Sequence, residues 1–268
     1  MRTDRVSRVS LRVVAIGYLA LLLFVPVGVV FWRTFEHGVA PVWNAITTPA
    51  AQHAFQLTLE VTLIAVPLNA IFGVLIAMSL VRGTFLGKGL IDALIDLPFA
   101  VSPVVIGLSL ILVYGTNGWI GSWLADHGIQ VIFNLPGLVL ATIFVSLPFV
   151  AREVMPVLRE IGTDQEEAAS TLGASGWQSF WRITLPAIRI GLAYGIVLSV
   201  ARAIGEFGAV SVVSGNLAGK TQTLTLLVEQ RFNNFDVAGA YAASALLAVI
   251  ALATLVTLTL IKPRSDAA

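Results

Sequence analysis

Long apolar stretches, each able to cross a lipid bilayer, leave this chain few folds to adopt. A helix needs about 20 apolar residues to span the hydrocarbon core. Six segments reach or approach that length: 13–32, 56–80, 90–114, 136–158, 186–213 and 237–261. Charged residues make up only 12% of the 268, about half the share usual in a soluble domain, and most of them sit between the apolar segments. The expected fold is an all-α integral membrane protein with about six transmembrane helices and no separate globular domain. Residues 1–12 and 262–268 are expected as short tails around a membrane domain at 13–261.

The first segment follows Arg2, Arg5, Arg8 and Arg12 and so resembles a secretion signal. It is longer than a signal core, and no A-x-A cleavage site follows it, so it is read as an uncleaved anchor. Basic residues in the flanking loops set orientation. With the amino terminus inside, one side carries Arg2, Arg5, Arg8, Arg12, Arg82, Lys88, Arg152, Arg159, Arg182, Arg189, Lys262 and Arg264, and the other only Arg33, Lys220 and Arg231. Both termini are therefore expected in the cytoplasm. Trp119 and Trp123, in the outer segment 115–135, suit a membrane interface. Pro26, Pro67, Pro98, Pro103 and Pro148 interrupt the apolar segments. Two readings stay open for them: ordinary kinks, or broken helices around a pathway.

The absence of cysteine excludes disulfides and thiol chemistry, and His37, His53 and His127 lack metal-ligand spacing. The scattered basic residues follow the orientation rule and form no nucleic-acid footprint.

The polar segment at 159–186, REIGTDQEEAASTLGASGWQSFWRITLP, predicts two short helices. Thr163 with Glu166, and Ser175 with Gln178, have capping-box spacing. Asp164, Glu166 and Glu167 suit the first turn of a helix. Gly173 suits its stop, and Trp177, Phe180 and Trp181 form one aromatic face. Helices this short need a surface to dock on. The bland alternative is a hairpin lying on the membrane with no partner. Spacing favours a partner: Glu167, Ala168 and Ala169, three residues, Gly173, nine residues, then Ile183, Leu185 and Pro186 complete the pattern EAA-x3-G-x9-I-x-L-P.

This pattern resembles the EAA loop of permease subunits in binding-protein-dependent ABC importers. The resemblance implies a type I ABC importer permease fold whose loop docks a dimer of ATPase subunits. Those subunits would hydrolyse ATP with Mg, and this chain would bind no cofactor. Two glycine-rich stretches, GTFLGKG at 83–89 and GNLAGKT at 215–221, fail as phosphate loops, because only three residues separate the first Gly from Gly-Lys where four are needed. The chain is accordingly expected to be non-catalytic.

DLPFAVSPVVIGL at 96–108 and ARAIGEFGAVSVVSG at 201–215 resemble signatures of sulfate and molybdate permeases, and the segment from Lys220 onward is similar to the W-type sulfate/thiosulfate permeases. The resemblance implies a second, T-type permease as partner and an extracytoplasmic sulfate/thiosulfate-binding protein. A molybdate or tungstate permease is the alternative within the class. An ATP-independent transporter or channel is the alternative outside it, and such a carrier has no use for a docking hairpin.

Arg202 and Glu206 are charges inside the fifth segment. On a continuous helix they share a small, polar stripe with Gly191, Gly195 and Ser199. Two readings stand: the charges neutralise each other, or with Ser199 they form part of an outer gate that attracts an incoming dianion.

Overall fold

The computed structural model describes residues 2–261, with side chains from Ser10 onward. The tail expected at 262–268 lies outside the described residues, and most of the tail expected at 1–12 belongs to the first helix. In chain order the helices begin with α1 (Arg2–Phe35), α2 (Val39–Ile46) and α3 (Pro49–Arg82). The third apolar segment contains α4 (Lys88–Ile95), α5 (Leu97–Ala100) and α6 (Pro103–Tyr114). Then come α7 (Gly121–Asp126), α8 (Leu135–Ile161), α9 (Asp164–Thr171), α10 (Gly176–Ser179), α11 (Leu185–Ile204), α12 (Gly208–Val213), α13 (Leu224–Asn233) and α14 (Val237–Ile261). A π turn over Phe180–Thr184 joins α10 to α11. No strand occurs among the described residues.

Local chemistry explains several starts. Thr48 Oγ1 accepts from Ala51 N at 3.3 Å, and Pro49 fills the first turn of α3, where its missing N–H costs nothing. Asn134 Oδ1 accepts from Leu135 N at 2.9 Å at the head of α8.

Among the described residues, five helices are long and apolar enough to cross a membrane: α1 from Ser10, α3, α8, the run Gly176–Ile204, and α14. Two expectations need correction. The segment 90–114, expected as one span, is broken twice, leaving α6 only 12 residues long. Pro98 and Pro103 each open a new helix, and Val101 and Ser102 between them are extended. Proline lacks a donor and disfavours helical geometry in the residue before it. The fifth span, expected to reach residue 213, stops at Ile204, and α12 is a separate helix. By contrast, Pro26, Pro67 and Pro148 lie inside continuous helices. The prolines therefore break the helix at two positions and lie within continuous helices at three.

Helices α3, α8 and α11 pack pairwise and form the centre. A Cβ at Gly195 of α11 would lie 2.7 Å from Val150 Cα, so only glycine lets α11 approach α8 this closely. A polar layer crosses the same seam. Asn69 Nδ2 donates to Ser146 Oγ at 2.7 Å and to Ile143 O at 3.2 Å, and Ser199 Oγ donates to Ser146 O at 3.4 Å. Such bonds hold helices together where apolar contact with lipid is no worse than contact with protein. The two broken segments also meet, α6 packing on α12 with Gly107 against Ala209 O and Val212. Helix α14 covers α11 and α13, and α1 packs on α14. Leu63, Ile71, Phe72 and Leu75 of α3, and Leu252, Leu255 and Leu260 of α14, remain exposed, as lipid-facing residues do.

The α8–α11 seam yields a stability test. Gly195→Val forces backbone apart and should cost about 1–3 kcal/mol, the usual penalty for overpacking. Gly28→Val is the matched comparison, since a Cβ at Gly28 meets nothing within 4 Å. Thermal unfolding in detergent should show a lower midpoint for Gly195→Val than for Gly28→Val. Equal midpoints would contradict the close seam.

Candidate functional site

The segment between α8 and α11 folds as a hairpin on one end of the bundle. The expected box at Ser175 forms: Ser175 Oγ accepts from Gln178 N at 3.3 Å, and Gln178 Oε1 accepts from Ser175 N at 2.9 Å. The box expected at Thr163 does not form. Thr163 Oγ1 donates to Glu167 Oε1 at 2.6 Å, and the Glu166 carboxylate turns toward the bundle instead. There Arg82 Nε lies 3.2 Å from Glu166 Oε2, and Thr184 Oγ1 donates to Glu166 Oε1 at 2.8 Å. A full positive charge attracts the carboxylate more strongly than a backbone N–H does.

Gly173 ends α9 as expected. Its φ of 85° is in the left-handed region, Gly173 N donates to Ser170 O, and Ala174 N donates to Ala169 O, both at 3.0 Å. A Cβ at Gly173 would meet nothing in this chain. Glu167, Ala168 and Gly173 are exposed and Ala169 is half-buried. Leu172 is 89% exposed and Trp177 is 70% exposed. Trp177 also stacks with Phe180 and meets Trp181 edge-on, with centroids 5.4 Å apart. The hairpin thus presents an apolar face with acidic residues beside it.

The second short helix is not independent. The run Gly176–Ile204 is one rod containing the π turn. Pro186, in the first turn of α11, cannot donate to Arg182 O, and Leu185 N bonds back to Phe180 O, five residues away. Leu185 packs on the core, Ile183 is half-buried, and Pro186 is exposed. The aromatic face is therefore fixed directly to the fifth span.

Charges tie neighbouring elements together. Arg82 Nη1 donates to Leu158 O at 3.0 Å, and Nη2 donates to Gly162 O. Arg152 of α8 bonds to Asp92 at 2.8 Å and to Asp96 at 2.7 Å, clamping α4 onto α8. In the sequence Arg82 and Arg152 count only toward orientation, because their partners lie far along the chain. The signal was present: acidic Asp92 and Asp96 within an apolar segment demand partners.

The proposed gate residues separate. Gly191, Gly195 and Ser199 are buried against α8, so that part of the stripe packs two helices together. Glu206 lies beyond the end of α11, and the continuous-helix geometry expected for it does not hold. Its carboxylate is nonetheless beside Arg202, and the residue is only 3% exposed. The other carboxylate oxygen accepts from Ala209 N at 2.8 Å, and Glu206 O accepts from Thr225 Oγ1 at 2.8 Å. Arg202 is half-buried.

Comparison with known proteins places this architecture. Residues 69–266 match the family described as binding-protein-dependent transport system inner membrane component. The sulfate transport system permease protein CysW of Synechocystis is 53% identical, covering 94% of this chain and 91% of that protein. The sulfate transport system permease protein CysT of Synechococcus elongatus is 41% identical, covering 89% and 86%. A bacterial ABC transporter involved in import of the acidic polysaccharide alginate has a TM-score of 0.71 at 16% identity, covering 97% of each chain, and this likeness carries the fold alone. The chain is an integral membrane protein and belongs to the family of inner membrane components of binding-protein-dependent transport systems.

Proposed function

We propose that this chain is the membrane-spanning permease subunit of an ATP-driven importer of sulfate or thiosulfate. The observation that carries this reading is the EAA hairpin: its exposed Trp177 and Trp181 lie on a helix that runs without a break into the fifth span, and exposed Leu172 precedes them at the end of α9. An exposed aromatic face of this kind fits a protein partner. In this reading the hairpin is cytoplasmic and Glu167, Ala168, Ala169 and Gly173 meet an ATPase subunit, while Ile183, Leu185 and Pro186 anchor the hairpin to the membrane domain. A dimer of ATPase subunits hydrolyses ATP with Mg, a T-type permease completes the pathway, and an extracytoplasmic binding protein delivers the anion. Relatives named as sulfate permeases support the anion class.

The same reading assigns Arg202 to the outer part of the pathway. Its half-buried guanidinium attracts a dianion, and Glu206 holds that charge until delivery. Ser199 takes no part in the gate, being sealed against α8.

Two outcomes are expected. Gly173→Trp adds bulk on the docking face and strains a left-handed residue. It should abolish sulfate uptake in proteoliposomes while leaving membrane abundance unchanged, whereas Gly173→Asn, which tolerates this backbone, should retain most uptake. Normal uptake by Gly173→Trp would refute docking at this face. For the ion pair, Arg202→Gln should lower uptake, and Glu206→Gln should loosen dependence on the binding protein. Near-normal uptake and coupling in both, at normal abundance, would leave the pair a structural role only.

A further inference from the structure

The adjacent carboxylates of the EAA hairpin point in opposite directions. Glu167 is exposed and touches only its own helix start, through Thr163. Glu166 faces inward and meets Arg82 at the end of α3 and Thr184 at the head of α11. The same Arg82 guanidinium holds Leu158 O and Gly162 O at the end of α8. One ion pair therefore joins the hairpin to three of the packed spans. Its side chains are 18% and 23% exposed, so the pair is largely withdrawn from water. Partial burial makes such a pair costly to break from one side.

We propose that Arg82 and Glu166 form a latch that transmits movement of the hairpin to α3 and α8. Covalent continuity already links the hairpin to both α8 and α11. It gives no link to α3, which meets the hairpin through Arg82. Without the latch, a push on the aromatic face tilts the rod Gly176–Ile204 and reaches α3 only through apolar packing, which can slide. With it, α3, α8 and α11 move together, as a packed unit that changes between discrete arrangements. Glu166 is a positioning residue in this account, and Glu167 is left to the partner. The inference rests on the docking reading above.

The test uses the complete transporter in proteoliposomes, with radiolabelled sulfate and MgATP. Three variants are compared with wild type: Glu166→Gln, Arg82→Gln, and the milder Thr184→Val, which removes one hydroxyl donor and keeps the side chain's shape. The readouts are ATPase subunits retained on the purified membrane complex, and ATP hydrolysed per sulfate delivered. Glu166→Gln and Arg82→Gln should keep the ATPase bound and raise the ATP-to-sulfate ratio about tenfold, a coupling loss of ordinary size between sites. Thr184→Val should raise it in the same direction by about twofold to threefold. A fourth, double variant Arg82→Gln with Glu166→Gln should be no worse than Arg82→Gln alone, which already removes the ion pair. A wild-type ratio in all three variants, with the ATPase bound, would overturn the latch. So would loss of the ATPase in Glu166→Gln, since that would make Glu166 a contact residue. Failure of the wild-type complex to retain any ATPase would instead overturn the docking reading.

Discussion

A helix that breaks inside a membrane must satisfy its freed backbone groups without water, and this constraint organises the structure. The fifth span stops at Ile204, and Glu206 closes the gap. Its side chain accepts from Ala209 N and its carbonyl accepts from Thr225 Oγ1, tying α12 and α13 to the break. Arg202 balances the buried carboxylate. In the third segment, Val101 N bonds back to Leu97 O, and Ile106 N bonds to Ser102 O, across the proline-led restarts. The broken pieces then cover each other, with Pro103 beneath Gly208 and Gly107 beneath Ala209. The restart at Pro103 and the break after Ile204 thus face protein rather than lipid, where irregular backbone is tolerated.

The opposite end of the bundle carries the hairpin and follows a different rule. Its backbone is satisfied locally, by the Ser175 box and the Gly173 stop, so its apolar side chains are free to project. Leu172, Trp177 and Trp181 have no use on a surface facing water. The π turn at Phe180–Thr184 fixes that face to α11, and Arg82 with Glu166 fixes it to α3 and α8. Arg152, holding Asp92 and Asp96, extends the same rigid end to the broken third segment. Ion pairs and a continuous helix therefore connect the hairpin to both sets of broken helices.

Much of this was legible in the sequence because bilayer thickness and capping chemistry act locally. The long spans, the hairpin, its glycine stop and the Ser175 box follow from neighbouring residues. What sequence alone misjudged depends on contacts distant along the chain. Thr163 and Glu166 have box spacing, but Arg82, 84 residues away in sequence, captures the carboxylate. Gly191, Gly195 and Ser199 share a helix face with Arg202, yet α8 occupies that face, so the stripe is packing. Pro98 and Pro148 look alike in sequence. One opens a helix and the other lies within α8, where packing on α3 and α11 sustains the continuous helix.

The central claim is that this chain works only with an ATPase seated on its hairpin. The most direct measurement is affinity purification of the intact chain from its native membrane, with a photocrosslinker at Trp177 and every captured chain identified by mass spectrometry. The account predicts a crosslink from position 177 to an ATPase subunit, in a complex that also contains a second permease chain. A complex with no ATPase, or position 177 crosslinked only to lipid, would contradict it.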